Sequence, residues 1–235
     1  MMRVYNVPLD VDGGNVDAEK ILVDIATPGR KPRIRHRGPD KYPLILKAAR
    51  ELVASHGFRE VQMSAIAETA GIAIGTLYRY FPAKTDLMIE VVSLTAQREV
   101  DVVAGIAMSE GSAADRLGAA AWTFANRALR GRRMAHALVA EPVEPEVEAA
   151  RLKYHRALSR VFTTIIEQGV RTGEFPPQSE RASADCIVGC LFEGLVGPLA
   201  DTASDEPSLT GHAVAIITFC LRGVSGGPLT FVPRP

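Results

Sequence analysis

The sequence predicts an all-α chain, a small three-helix unit leading into a larger helical body of about nine helices in total. Three observations predict it. Apolar residues recur at three- and four-residue spacing through most of the chain after residue 40. No run alternates apolar with polar as a half-buried strand would. Two very short helical segments flank a single glycine, Gly71, directly after a longer helix, the layout of a helix-turn-helix.

Residues 1–38 read as a flexible arm, because Gly13-Gly14, Pro28-Gly29, Pro32 and Gly38-Pro39 interrupt any periodicity. The spacing of Leu44, Ile45, Ala48, Ala49, Leu52 and Val53 predicts a helix over 40–55. Gly57 follows where a left-handed cap residue is wanted. A short helix over 63–70 turns Ile66, Ala67 and Ala70 inward, and a third over 74–81 stops at Pro82. Residues 39–83 form one unit, since two short helices need the first helix as a third wall to bury a core.

The body spans 84–224, with 225–235 a tail. A long helix over 84–107 ends at Gly111-Ser112, and another over 113–129 contains Trp122, the only tryptophan. A short piece over 132–140 stops before Pro142. Residues 144–171 form an amphipathic helix closed by Gly173 and Pro176-Pro177. Ser179 caps a helix to about 199, and Ser208 opens a last one to about 221.

The 235 residues hold 27 basic and 27 acidic side chains, a net charge of +0. That excludes a uniformly polybasic coat protein, yet the balance is uneven. Residues 30–41 carry Arg30, Lys31, Arg33, Arg35, Arg37 and Lys41 against Asp40 alone, and the net negative charge lies outside 30–87. A basic stretch leading into a compact unit is an electrostatic footprint of DNA binding; it is equally the composition of a solvated tail. Cys186, Cys190 and Cys220 form neither a disulfide framework nor a zinc set, which fits a reducing cytoplasm. No apolar run reads as a membrane span or a secretory leader, so no membrane partner is expected. No nucleophile elbow, phosphate loop or dinucleotide turn is present; neither a metal nor a cofactor is expected.

Residues 63–87 read MSAIAETAGIAIGTLYRYFPAKTDL. Ile66-Ala67, Ala70-Gly71, Gly75-Thr76-Leu77-Tyr78, Tyr80-Phe81, Lys84 and Leu87, in that order and spacing, resemble the DNA-binding signature of the TetR family of bacterial transcriptional regulators. The detailed resemblance covers roughly residues 41–90, and the string from Val61 to Pro82 narrows it to an actinobacterial subset. It implies a DNA-binding regulator, most simply a repressor, that meets a palindromic double-stranded operator as a homodimer and is released by a small, largely hydrophobic effector.

Residue by residue, the resemblance implies DNA contact from Gln62, Ser64, Ile74, Gly75, Thr76, Tyr78, Arg79, Tyr80 and Lys84. The residues support it separately. Leu77 and Phe81, four apart, turn inward, which leaves Ile74, Gly75, Thr76, Tyr78 and Arg79 outward for a major groove. Thr76 can offer a hydroxyl or a methyl to base edges. Tyr78 and Lys84 suit phosphate oxygens, while Tyr80 is open between DNA contact and core packing. Two positions depart from the family pattern. Gln62 is a weak cap where threonine is common, and Ile74 replaces a polar residue. Arg35 and Arg37, with Arg33, fit either a minor-groove arm or a solvated tail.

In the body, the resemblance implies a ligand chamber and a dimer interface. Trp122, Phe124, Arg127, Met134, His136, Leu138, Tyr154, Phe162 and Phe192 are candidate chamber residues, an apolar wall with a few polar points. The helices over 179–221 are apolar nearly all round. Cys186, Gly189, Cys190, Glu193, Gly194, Gly197, Ala213, Ile217 and Cys220 are candidates for a four-helix contact across a two-fold axis. The run Arg130–Arg133 reads as cations closing a helix, with binding of an anionic effector such as an acyl-CoA as the alternative, and the acids from Glu141 to Glu148 as a solvated loop and helix start. An all-α enzyme and a helical adaptor without DNA binding are the alternative readings.

Overall fold

The computed structural model describes residues 4–7, 40–200, 206–227 and 230–233. Arg35 and Arg37 lie outside the described residues, and so does the rest of the basic arm before Asp40. Among the described residues the fold is all-α. Its helices are α1 (Tyr42–Glu60), α2 (Met63–Thr69), α3 (Ile74–Tyr80), α4 (Lys84–Ala107), α5 (Ala113–Arg130), α6 (Arg132–Val139), α7 (Pro145–Arg171), α8 (Glu180–Ala200) and α9 (Glu206–Ser225). One pair of short strands adds to them. β1 (Val4–Val7) runs parallel to β2 (Thr230–Pro233), joining the two ends of the chain. No alternating pattern announced it; the pairing is made by backbone groups over four residues on each side.

α1 to α3 close around Ile45, Ala49, Val53, Ile66, Leu77 and Phe81, all fully or almost fully buried. The Tyr42 ring stacks on Phe81 with centroids 5.7 Å apart, tying the start of α1 to the end of α3. Gly71 sits between α2 and α3 at φ +66, a backbone that side chains with a Cβ rarely adopt. Gly57, at φ +82, kinks α1 and leaves a single further turn, Phe58–Glu60. This small core does not stop at α3. It continues through Leu87, Met88, Val91 and Val92 of α4 into Ala137, Val147 and Ala150 of α6 and α7.

The body core is separate and larger, centred on Leu117, Trp122, Leu158, Phe162, Ile165, Ile187, Leu191 and Ile217 from α5 and α7 to α9. α4 belongs to both cores. Its 24 residues span about 36 Å at 1.5 Å per residue, enough to run from the α1–α3 unit, the head, into the body. Glu174 fixes the start of α5 by accepting from the Ala113 and Ala114 amides at 2.7 and 2.8 Å. Ser112 accepts from the Asp115 amide at 3.0 Å.

Two helices contradict the expectation that no segment is long enough to span a membrane. α8 and α9 both pass by length and composition. The sequence hides this because Asp185, Glu193 and Pro198 interrupt the apolar run in α8 without lowering its average below that of a span. Here the two helices pack on α7 and α5, yet only about a third of each window is buried within the chain.

Candidate functional site

α3 presents one face outward. Leu77 is fully buried, whereas Ile74 is 43% exposed and Tyr78 48% exposed, with Gly75 and Arg79 also exposed. Thr76 is half-buried, and Gln62 and Ser64 lie exposed around the start of α2. Neither Gln62 nor Ala73 makes a side-chain cap at the start of α2 or α3. Seven residues per helix and a tight turn put these positions on one patch. The patch pairs an apolar tip, Ile74, with a phenol and a guanidinium.

Tyr80 and Lys84 have local work as well. The Tyr80 hydroxyl accepts from the Lys41 amide at 3.2 Å, pinning the entry of α1. Lys84, at the start of α4, donates from Nζ to the Arg59 carbonyl at 3.2 Å.

The second feature is a cavity of about 130 Å³ inside the body. α4 supplies Val92, Thr95, Ala96, Glu99 and Val100 to its wall. α5 and α6 supply Phe124, Arg127, Met134, Ala135 and Leu138, and α7 supplies Arg151, Tyr154, His155 and Leu158; Phe192 comes from α8. Phe192 is the aromatic hub, 5.2 Å from Phe124 and 4.0 Å from His155 between ring centroids. Arg127 grips Glu99 with two bonds of 2.6 and 2.8 Å, and this pairing raises its pKa above the ordinary arginine value. Burial lowers the pKa of His155 and raises that of Tyr154, so both are held neutral.

The structure thus brings Phe124, Arg127, Met134, Leu138, Tyr154 and Phe192 into one wall. Three proposed liners fall elsewhere. Trp122 and Phe162 are packed into the body core, and His136 lies outside the wall. A helix has one face toward the cavity and another toward the core, and aromatic type alone does not tell them apart.

Three residues that local pattern passed over join the cavity to the head. Arg151 is buried to 5% exposure on α7. Its guanidinium donates to the Ala137 carbonyl of α6, to the Glu141 carbonyl at 2.8 Å and to Glu148 at 3.1 Å. It also stands 5.8 Å over the Phe58 ring. Glu141 accepts from the Phe58 and Arg59 amides, both at 2.8 Å, capping the turn beyond the Gly57 kink. Arg133 donates to the Ser55 carbonyl. Glu141 was expected in a solvated loop and Arg133 as a helix-end cation; each instead holds the head. Their partners lie about eighty residues away, and no local spacing reports that.

Of the proposed interface residues, Cys186, Gly189, Glu193 and Gly197 share the exposed side of α8. Ala213, Ile217 and Cys220 do not: they are buried in the chain's own core, one face away. Gly194 is half-buried under Ile216, and Cys190 packs at the core edge. The exposed side of α9 carries Ala215 and Phe219, the latter 67% exposed. Burial pushes the Cys220 thiol up to about 12, so it stays protonated. No metal-holding cluster occurs among the described residues.

Residues 45–91 match the model of the bacterial regulatory proteins of the tetR family, and that interval contains the whole α2–α3 patch. Over those 47 residues of its 235 the chain is similar to tetR-family regulators. It is 37% identical over 76 residues to the transcriptional repressor KstR of Rhodococcus jostii, an alignment covering 32% of this chain and 36% of that protein. It is 47% identical over 49 residues to the fatty acid metabolism regulator of Bacillus subtilis, covering 21% and 25%. The chain thus aligns with about a third or less of these relatives' length. UidR of Escherichia coli K12 aligns over 79% of the chain and 91% of its own length at 25% identity. In three dimensions, FadR of Bacillus subtilis, solved with stearoyl-CoA, superimposes with a TM-score of 0.67 at 21% identity, over 78% of this chain and 99% of that one. The likeness in fold therefore extends through the body, where the likeness in sequence is weaker.

Proposed function

We propose that this chain is a one-component transcriptional repressor. It binds a palindromic operator as a homodimer through α2 and α3 and leaves it when a small, mainly apolar ligand enters the body cavity. The observation that carries the reading is the outward face of α3, where Ile74, Gly75, Tyr78 and Arg79 are exposed while Leu77 is locked in the core. The relatives named above are repressors and regulators by name, and two structural relatives were solved with stearoyl-CoA and with resorcinol. Those ligands belong to those proteins; what they share is an apolar part, which suits an apolar chamber. A reading head over 39–83 and an effector-binding, dimerising body over 84–224 are the division this function uses. It places the protein with the chromosome in the cytoplasm.

The release mechanism follows from the joint. α4, α6 and α7 all touch both the cavity and the head. A ligand that shifts Arg151 changes what holds Ala137 and Glu141, and Glu141 holds the turn after Gly57. Binding then shifts a two-state equilibrium in head spacing, provided the ligand prefers one state.

A gel-shift assay with the gene's own upstream region and with genomic fragments tests the proposal. Specific, salt-sensitive binding supports it; its absence from every fragment overturns it.

A further inference from the structure

Two isoleucines at the turn into α3 are placed oppositely. Ile72 packs against the core shared by α1 to α4. Ile74, the first residue of α3, lies outside that core with 43% of its surface exposed, although Leu77 on the same short helix is fully buried. The chain's own packing does not use it.

Gly75 stands beside Ile74 and is not required by the fold either. Its φ is not in the left-handed region, and a Cβ built on it would meet nothing within 4 Å. Glycine inside a helix is less stable than alanine, and here no neighbour asks for the missing methyl. A bare backbone position next to a protruding aliphatic one suits a partner that comes close. Glycine lets that partner reach the backbone, and the isoleucine reaches into it. Isoleucine keeps one preferred rotamer in a helix, so holding it against a partner costs little entropy.

In a helix-turn-helix the N-terminal residues of the second helix meet base edges in the major groove. Those edges differ in their hydrogen-bonding groups and in one apolar feature, the C5 methyl of thymine. Ile74 and Gly75 have no polar side-chain atom, and Thr76 has a single hydroxyl on a half-buried side chain. None of the three can form the paired hydrogen bonds that read adenine or guanine. Arg79 lies in the last turn of α3, away from this end.

We infer that Ile74 reads thymine. Each operator half-site carries a thymine whose C5 methyl packs on the Ile74 side chain, and Gly75 brings α3 close enough for that contact. This rests on the proposed operator binding through α3.

The methyl can be removed alone, because deoxyuridine pairs with adenine as thymidine does and lacks only that group. A DNA fragment that the full-length protein shifts specifically is made with a fraction of its thymidines replaced by deoxyuridine. Bound and free DNA are then separated and cleaved at uracil. Uracil is expected to be depleted from the bound DNA at one thymine in each half-site, at positions related by the two-fold axis. In a short duplex, replacing that thymidine in one half-site should weaken binding about fourfold, and in both about sixteenfold, the loss expected for methyl groups taken out of apolar contact. I74A truncates an exposed side chain and should melt close to the parent. It should bind the thymidine duplex more weakly and lose the distinction between thymidine and deoxyuridine at that position. G75A should melt no lower than the parent and bind more weakly by holding α3 off the groove; unchanged binding overturns the close approach. Specific binding that tolerates uracil at every thymine overturns the inference and leaves the DNA-binding reading standing, as does an I74A protein that still distinguishes the two bases at the same position. If no fragment is shifted, the DNA-binding reading fails and the inference falls with it.

Discussion

At the scale of single residues, the α3 face makes the sharpest demands. Tyr78 is exposed on a helix whose opposite side is fully buried, so changing it need not disturb the core. Y78F is expected to lose a phosphate hydrogen bond worth about 1.5 kcal/mol, roughly tenfold in Kd, equally for all operator variants. Thr76→Ser removes only a methyl and is expected to change the order of preference among operator variants instead. Titrations against a panel of single-base variants separate the two outcomes; a Y78F loss confined to one variant would mean base contact. His155 makes a different demand. Burial and the Arg151 charge lower its pKa, with Glu148 opposing. The unfolded chain therefore binds the proton more readily than the folded one near the ordinary histidine value of about 6.5. Stability contributed this way is complete above that value and declines as pH falls through it. Melting temperature should drop more steeply below pH 6.5 in the parent than in H155Q; identical slopes would show that His155 titrates freely in the fold.

At the scale of elements, the joint beyond Gly57 is the testable unit. Glu141 caps two amides of a single helical turn, and charge-assisted bonds are stronger than neutral ones. E141Q keeps the shape but puts an NH2, which cannot accept, in place of one oxygen, so one bond is lost and the other loses its charge. Hydrogen exchange at the Phe58 and Arg59 amides should quicken by tenfold or more, with the amides of α8 unchanged. Gly57→Ala attacks the joint from the other side, since φ +82 is unfavourable for alanine and its Cβ would sit 2.7 Å from a Glu141 carboxylate oxygen. If operator release in E141Q keeps the parent's ligand dependence, the signal travels another way. This joint also marks where sequence reading ends. The helices over 84–107 and 144–171, the turn at Gly71 and the inward pair Leu77 and Phe81 follow from three- and four-residue periodicity, a local property. Glu141 and Arg151 matter through partners on other helices, and a charged residue in a loop looks the same whether it caps a distant turn or faces water. The buried interface candidates failed for a related reason. α8 and α9 are apolar on every side, so pattern cannot say which side meets the chain's own core.

At the scale of the whole molecule, that ambiguity becomes an argument for a second copy. α8 and α9 are apolar enough for a bilayer yet only about a third buried in one chain. Among the described residues, Phe219 is the most exposed of the large hydrophobics. A face of this kind in water is commonly an interface. With Gly189 and Gly197 allowing close approach on α8, two copies can bury it around a two-fold axis. Phe219→Glu would place an unpaired carboxylate in that contact, which is costly when buried. Because the side chain is exposed in the single chain, F219E should melt close to the parent at low concentration. Light scattering should find the parent at twice the chain mass and F219E at once. The DNA consequence is stricter. Affinity falls with salt at a slope of about −0.9 per phosphate neutralised, so a monomer that touches one half-site should show about half the parent's slope. A dimeric F219E with an unchanged salt slope would place the two-fold contact on another face. A monomer with the full slope would mean that one copy alone makes all the phosphate contacts.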